Sequence, residues 1–161
     1  ISEYYEARTV DGGLIVQQPD LTMFKKWNVV TQNRPTQEQA DSMSFGMMLA
    51  MIAKSDSAIV LNDMATVGIS TGNTSRQRAV RYALADAAEY FKNNVNSGER
   101  NAEILVSDSV INFDENTKSL ADIGVKAIIQ TGGAPNDAEF IQFCNEHGIS
   151  MVFTGIQHLC I

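Results

Sequence analysis

Three short apolar runs in the second half of the chain constrain the fold more than any other feature. The runs Ile104–Ser107, Ala127–Gln130 and Ser150–Phe153 are bounded by polar or glycine-containing segments, a pattern that predicts buried strands. The segments Lys118–Ile123 and Pro135–Glu146 lie between them and predict helices, the second begun by a proline in its first turn. Strands that alternate with helices require right-handed crossovers and a partly parallel sheet. The sequence therefore predicts an α/β fold.

The first half of the chain predicts further strands. Ser57–Leu61 and Thr66–Ile69 flank Asn62-Asp63, which is typical of a hairpin with a tight turn. Another strand is predicted over Val10–Gln17, where two consecutive glycines permit a bulge or a positive φ, and a short one over Trp27–Thr31. The hairpin adds antiparallel pairing to the parallel strands, so we expect a layered, mixed sheet.

Two longer helices are predicted to flank this sheet. The first begins after Thr36, which with Gln39 three residues later forms a capping-box pattern. Its many methionines are expected to fill the core rather than to bind a ligand. The second helix is predicted from Arg76 to about Asn94 and follows a small polar loop. With no repeat or linker, residues 1–161 are predicted to form a single α/β domain.

Composition narrows the classes of function. The 161 residues are 44% hydrophobic and 19% charged, which suits one domain with a sizeable core. The net charge of −7 argues against binding to duplex nucleic acid, because such a protein needs a basic face to displace counterions from phosphates. A small anionic ligand held by one or two local arginines is still compatible with this charge.

The same composition bears on compartment and metal content. Cys144 and Cys160 lie far apart, which favours a reduced, cytoplasmic protein over one with a disulfide. The longest apolar run, Phe45–Ala53, is half of a membrane span, and the first residues lack a targeting pattern, so no membrane partner is expected. His147 and His158 are the only histidines and form no ligand-spaced cluster with cysteine, so no zinc is expected.

Small polar residues follow each of the three apolar runs. They are Ser107-Asp108-Ser109, Gln130-Thr131-Gly132-Gly133 and Thr154-Gly155. In open α/β sheets, ligands bind beyond the carboxyl ends of parallel strands, so these residues predict a ligand crevice. Each has a plainer alternative, since an aspartate after a strand is often a helix cap and two glycines are often a tight turn.

Arg76 is a candidate ligand residue for a different reason. It stands at a predicted helix N-terminus, where backbone N–H groups favour anions and an arginine is locally unfavourable. It could hold an anion there, or instead form a surface ion pair with Asp86 or another carboxylate. His147, in contrast, precedes Gly148 at a predicted helix C-terminus, where a structural role is expected.

Short motifs in a fixed order along nearly the whole chain carry a family resemblance. They are residues 8–17 (RTVDGGLIVQ), Trp27–Thr31, Arg34-Pro35-Thr36, Lys54-Ser55-Asp56, Val67-Gly68-Ile69, Gly72–Arg76, Ser107-Asp108, Val125–Gly133 and Glu146–Gly155. Together they resemble the C-terminal half of the transformylase region of AICAR formyltransferases.

The resemblance implies a reaction and an assembly. The family transfers a formyl group from 10-formyltetrahydrofolate, the co-substrate, to AICAR in purine biosynthesis. Its transformylase region has two cytidine-deaminase-like subdomains and works as a homodimer with each active site at the subunit interface. This chain is similar to the second subdomain only. The family's proton-transferring Lys-His pair belongs to the first, and here no lysine precedes either histidine, so the resemblance implies no catalytic residue and an inactive chain without that missing partner.

Four positions correspond to the family's substrate side. Arg76 matches a substrate-contacting arginine, and Asp108 matches the aspartate of a Ser-Asp-Ala-Phe-Phe-Pro-Phe segment. Asp56 stands where the family has an asparagine that orients AICAR, and an aspartate keeps an acceptor there but loses the amide donor. Gln157 stands where the family has an arginine for the substrate phosphate. Losing that charge-assisted contact would cost on the order of 2–3 kcal/mol.

Three positions correspond to the folate side. Val110 replaces an aromatic residue, Phe113 is kept, and Glu115 stands where the family has an aspartate facing the folate. The resemblance also permits a monovalent cation near Asp108.

The changed residues support a second hypothesis from another class. Asp56, Val110, Gln157 and Ile161 depart from the family at ligand-facing positions, while the scaffold motifs persist. The chain would then be a non-catalytic relative that binds another small ligand or serves as an assembly module.

Overall fold

The computed structural model describes residues 4–94 and 103–160, and shows a mixed sheet with flanking helices, which confirms the predicted fold class. The cytidine-deaminase-like label stays a prediction. The elements in chain order are β1 (Glu6–Val10), β2 (Gly13–Gln17), β3 (Asn28–Val29), α1 (Gln37–Ile52), β4 (Ala58–Asn62), β5 (Ala65–Ser70), α2 (Arg76–Asn93), β6 (Ile104–Ser107), α3 (Leu120–Ile123), β7 (Ala127–Gln130), α4 (Asp137–Glu146) and β8 (Ser150–Phe153).

Six strands form the main sheet in the order β3-β8-β7-β6-β4-β5. Strands β6, β7 and β8 pair in parallel, whereas β4 runs antiparallel to both β5 and β6. Strand β3 adds an antiparallel edge beside β8. The parallel second half and the antiparallel hairpin of the first half are therefore both as the sequence predicts, except that the hairpin turn lies at Asp63-Met64 rather than at Asn62-Asp63.

The sheet is covered on both faces. On one face, Ile129 packs in a cluster with Met43 and Met47 of α1, and all three are fully buried. On the other, Ile128 packs with residues of α2 and with Phe140 of α4. Strands buried on both faces read as continuous apolar runs, which is why β6, β7 and β8 were evident in the sequence.

Helix α1 begins with the predicted capping box. The backbone N–H of Gln39 donates to Thr36 Oγ1 (3.2 Å), and the N–H of Thr36 donates to Gln39 Oε1 (3.0 Å). The methionine prediction is right for Met43 and Met47 but not for Met48, which is 50% exposed near the other end of the helix.

The prediction of one strand over Val10–Gln17 is wrong. The chain reverses at Asp11-Gly12, where Gly12 has a φ of 80°, and β1 pairs antiparallel with β2 in a separate two-stranded sheet. We call this sheet the ribbon. Every residue of the ribbon except Gln17 is exposed, so the ribbon lacks the buried face that would have marked its two strands in the sequence.

Three smaller predictions need correction. Strand β3 covers two of the five residues predicted, because beyond it the Thr31 hydroxyl accepts the hydrogen bond of Met151 N–H (2.8 Å). Helix α4 begins at Asp137 rather than at Pro135, since Asp137 N–H closes a turn onto the carbonyl of Ala134 (3.2 Å). The helix predicted from Lys118 is a 3₁₀ turn followed by α3.

Two sequence observations fall outside the described residues. They are the start of the N-terminal segment, residues 1–3, and the changed position Ile161. Within the described ranges, none of the helices has the length and apolar character needed to span a bilayer.

Candidate ligand and cation site

The polar ends of the three parallel strands meet at one edge of the sheet, as predicted. The side-chain oxygen of Gln130 accepts the N–H of Ile111 (2.7 Å), and the carbonyl of Asp108 accepts the N–H of His158 (2.9 Å). The hydroxyls of Thr131 and Thr154 both donate to the carbonyl of Ile156 (3.1 and 3.0 Å). Much of this polarity therefore holds the C-terminal segment 155–160 against the sheet rather than lining an open crevice.

His158 anchors that segment from the other side. Its ring is 1% exposed, with Nδ1 2.6 Å from Asp20 Oδ2 and Nε2 3.1 Å from the carbonyl oxygen of Met23. A carbonyl oxygen can only accept, so Nε2 carries a proton. Both ring nitrogens are engaged, and the sequence missed this contact because Asp20 and His158 are 138 residues apart.

Asp108 lies at the centre of the site and is fully buried. Its Oδ1 accepts the N–H of Ser57 (3.1 Å), which joins the end of β6 to the start of β4. Burial raises the pKa of the Asp108 carboxyl, and the nearby Asp56 charge adds to this, while the hydrogen bond from the backbone N–H of Ser57 and the nearby hydroxyls of Ser55 and Ser57 act in the opposite direction.

Three buried oxygen atoms at this end of the sheet have no hydrogen-bond partner within the described residues. They are Asp108 Oδ2, Ser57 Oγ and Ser109 Oγ. A buried polar atom without a partner costs about 1–3 kcal/mol, so such a group indicates an unseen ligand, ion or water. Carboxylate and hydroxyl oxygens are hard ligands, which suit a hard cation rather than zinc.

Backbone carbonyls lie beside this oxygen set. Ser55 Oγ donates to the carbonyl of His158 (3.2 Å), and Ser55 N–H donates to the carbonyl of Cys160 (3.2 Å). The described residues contain no group of three or more histidine, cysteine or acidic side chains of the kind that holds a transition metal. The Ser55 and Ser57 hydroxyls were missed as site residues, although Ser55 belongs to the Lys54-Ser55-Asp56 motif and Ser57 directly follows it.

Asp56 and Arg76 are connected through one loop. The backbones of Asp56 and Asn73 exchange two hydrogen bonds (3.2 and 3.3 Å), and Asn73 Nδ2 donates to the Asp56 carbonyl (3.1 Å). This loop leads to Ser75, the N-cap of α2, whose side chain accepts the N–H of Arg78 (3.3 Å). Arg76 therefore starts the helix three residues after Asn73, the residue that is bonded to Asp56.

Arg76 borders the predicted folate segment. It lines a cavity of about 10 Å³ together with Asn112 and Asp114, room for one water at most. Neither Asp86 nor another carboxylate of the described residues forms an ion pair with it. The described residues therefore show neither an ion pair of Arg76 nor an open pocket beside it that is large enough for a nucleotide.

The three folate-side residues lie in different surroundings. Phe113 stacks on Phe140 (ring centroids 5.4 Å apart) and touches Phe143 (5.3 Å), so its ring packs against α4. Glu115 is on the surface, where it pairs with Lys118 at 2.6 Å. Val110 is half-buried next to Ser109.

Gln157 lies apart from Arg76. It is exposed and lines a cleft of about 700 Å³ with Lys54 and Leu159, bordered by β2. Lys54 is the one cationic side chain among the described residues that line this cleft, and the sequence analysis gave it no role. The four predicted substrate residues therefore do not line one cavity.

These features define a layered α/β domain. Buried carboxylate and hydroxyl oxygens lie at the carboxyl ends of its parallel strands. A family model described as AICARFT/IMPCHase bienzyme matches residues 2–86. The chain belongs to this family.

Relatives in three bacteria agree with this assignment. Each is a bifunctional purine biosynthesis protein PurH, from Brachyspira hyodysenteriae (39% identical over 149 residues), Streptococcus pneumoniae (37% over 151) and Persephonella marina (36% over 151). The matches cover 92–94% of this chain but only 27–28% of those proteins. The chain thus spans little more than a quarter of the length of the relatives that it matches.

Proposed function

We propose that this chain supplies the substrate-orienting and folate-side contacts of an AICAR formyltransferase site in purine biosynthesis. One observation carries the proposal. The loop of residues 70–75 joins Asp56 to Arg76, and Arg76 in turn borders the segment that begins the predicted folate side. Arg76, which the resemblance assigns to the substrate side, therefore borders the segment that also contains the folate-side residue Phe113.

The chain's own residues would bind and orient rather than transfer protons. In formyl transfer the amine of AICAR loses a proton as it attacks, and the folate nitrogen gains one as it leaves. His158 has both ring nitrogens engaged, and Nδ1 of His147 faces the carbonyl of Phe143 (2.8 Å), so neither supports this role. The acid/base pair would come from the missing first subdomain, and the chain alone is expected to be inactive.

The oxygen set at Asp108 fits the predicted monovalent cation. Asp108 Oδ2 and the hydroxyls of Ser57 and Ser109 would hold it, with backbone carbonyls of the C-terminal segment close by. A bound cation would neutralise the buried carboxylate. The residues themselves would then fix the C-terminal segment, and with it Gln157, relative to Asp56. Homodimerisation and a cytoplasmic location belong to the same proposal.

A thermal-shift titration with AICAR, with a folate analogue in parallel, tests the ligand assignment. A ligand at 100 times its dissociation constant adds about 2.7 kcal/mol, a shift of several degrees for a domain of this size. Arg76→Ala should abolish the shift, and Arg81→Ala, an exposed arginine of the same helix that lies over the Tyr82 ring, is the matched control. A shift that survives Arg76→Ala would contradict the assignment.

A specific observation favours the alternative of a non-catalytic relative. Asp56 adds a negative charge near Arg76, Gln157 lacks the charge of an arginine, and the cavity at Arg76 holds no more than a water. The double variant Asp56→Asn, Gln157→Arg separates the two functions. It should raise AICAR affinity if the site is an eroded transformylase site, and leave it unchanged if the site serves another ligand.

A further inference from the structure

Residues 108–114, which we call the folate-side segment, have no helix or strand of their own. Strand β6 ends at Ser107, and the next regular element is the 3₁₀ turn Thr117–Ser119. The segment nevertheless carries Val110 and Phe113, two of the predicted folate-side residues. Its buried backbone N–H and C=O groups need partners from elsewhere in the fold, because such groups are nearly always paired. The residues that supply those partners decide where the segment lies.

The side chain of Gln130 supplies one of the partners. Gln130 is the last residue of β7 and is fully buried. Its Oε1 accepts the N–H of Ile111 at 2.7 Å, and this contact fixes the orientation of the amide, since Nε2 can only donate. Nε2 then lies 3.6 Å from Met151 Sδ, a weak acceptor. Burying an amide costs free energy that an apolar side chain avoids, so the bond to Ile111 is what this glutamine contributes.

Asn136 supplies a second partner from a different element. It stands at the N-cap position of α4, where an asparagine side chain normally accepts a backbone N–H of the helix. Here the side chain forms no capping hydrogen bond, and Nδ2 donates instead to the carbonyl of Phe113 (2.7 Å). The amide of Asn136 is therefore used on a segment 23 residues earlier and not on its own helix.

The two amides hold peptide groups that are two residues apart, in Ile111 and Phe113. The residue between them, Asn112, lines the small cavity beside Arg76. Fixing both neighbours leaves Asn112 little freedom, because a residue has only two soft backbone dihedrals. The ring of Phe113 also stacks on Phe140 of α4, so the same helix holds this residue by its side chain and by its carbonyl.

We propose that Gln130 and Asn136 are positioning residues for the folate co-substrate. They hold the folate-side segment in one conformation against the end of β7 and the start of α4, so ligand binding does not have to order it. This inference rests on the proposed function, from which it takes the folate. It adds two residues that act through the segment. The sequence analysis placed Gln130 at the crevice and gave Asn136 no role.

Two asparagines at opposite ends of α4 give a matched pair of variants. Asn136 bonds to Phe113, whereas Asn145 Oδ1 accepts the N–H of Gln32 (2.8 Å), which belongs to no predicted site. Both asparagines are half-buried, so Asn136→Ala and Asn145→Ala each remove one hydrogen bond and should lower the melting temperature by similar amounts. In a thermal-shift titration with folinic acid as the folate analogue, only Asn136→Ala should weaken the affinity, by about tenfold.

Variants of Gln130 separate positioning from packing. Gln130→Met keeps a long buried side chain without an oxygen for the N–H of Ile111, and it should weaken folinic acid binding by about tenfold. Gln130→Glu keeps that oxygen. At pH 6, where burial favours the neutral acid, it should bind folinic acid within about threefold of the parent chain. Hydrogen exchange followed by NMR needs no ligand, and the Ile111 amide should exchange faster in Gln130→Met than in the parent chain.

The outcomes separate this proposal from the proposed function. A parent chain that gives no shift with folinic acid would overturn both, since no folate site would then need positioning. A parent shift that Asn136→Ala and Gln130→Met leave unchanged would overturn the positioning role alone. Unchanged exchange of the Ile111 amide in Gln130→Met would do the same. An equal loss of affinity in Asn145→Ala would show that Asn136 acts only through general stability.

Discussion

The molecule contains two sheets built from similar residues in opposite environments. The strands of the six-stranded sheet are covered by α1 on one face and by α2 and α4 on the other, and β6, β7 and β8 are buried along their whole length. The ribbon carries branched apolar residues as well, yet nine of its ten residues are exposed. The difference teaches that branched apolar residues make a strand possible, while a covering layer decides whether the strand contributes to stability.

The largest expected effect comes from glycines in the two sheets. A Cβ on Gly68 of β5 would lie 2.1 Å from the carbonyl oxygen of Ala83, a backbone atom of α2 that cannot step aside. We expect Gly68→Ala to lower the free energy of unfolding by roughly 4 kcal/mol in urea denaturation. Gly13→Ala in the ribbon is the control, because nothing lies within 4 Å of its Cβ, and it should change stability by less than about 0.5 kcal/mol.

A second test compares isoleucines. Ile128 of β7 is fully buried, whereas Ile15 of the ribbon is 45% exposed. Ile128→Ala should cost about 3 kcal/mol of the free energy of unfolding, since it leaves a cavity between the sheet and α4. Ile15→Ala, measured in dilute protein, should cost under about 0.5 kcal/mol. Equal costs would mean that the ribbon is as well covered as the main sheet.

The effect of monovalent salt on the melting temperature should depend on Asp108 at the sheet edge and not on the carboxylates of the surface. The melting temperature should rise in potassium or sodium chloride relative to choline chloride at equal ionic strength, by the equivalent of about 1–3 kcal/mol. Asp108→Asn should remove this dependence because it deletes the buried charge. Glu115→Gln, which breaks an exposed pair with Lys118, should retain it. A dependence that persists in Asp108→Asn would argue against a cation at this site.

The smallest effect concerns the two thiols. Cys144 is fully buried against the sheet, and burial raises the pKa of its thiol to about 12, whereas Cys160 is half-buried near the C-terminal segment. Because the thiolate is the nucleophile, iodoacetamide at pH 8 should label Cys160 and leave Cys144 unmodified until urea unfolds the chain. Mass spectrometry of the peptides reads this out, and early labelling of Cys144 would show that the face carrying α4 opens locally.

Much of the main sheet could be predicted because each of its strands carries its own local signal. Strands β6, β7 and β8 have the predicted bounds, since a run of branched residues between polar ends needs no long-range information. The ribbon was mistaken for one strand because Gly12 reverses a chain that has no buried face on either side. The hydrophobic periodicity of this segment therefore did not indicate two strands.

The candidate site was less predictable. Asp108 was found from its position after a strand and from the family resemblance. Ser109 was found with Asp108 as part of the same polar strand end, whereas the hydroxyl of Ser57 gave no signal, because its relevance depends on a contact between β4 and β6 about 50 residues apart. The pairing of His158 with Asp20 lies beyond any local pattern for the same reason.

The binding of residues 155–160 into the sheet edge has a consequence for how the protein is made. Ser55 contacts the carbonyls of His158 and Cys160, so this part of the site closes a loop of more than a hundred residues. Contacts so distant in sequence form late, and chains are folded from the N-terminal side as the ribosome releases them. A nascent chain can therefore assemble β4, β5 and α1 early, yet it holds the carboxylate of Asp108 without its carbonyl neighbours until translation has passed residue 160.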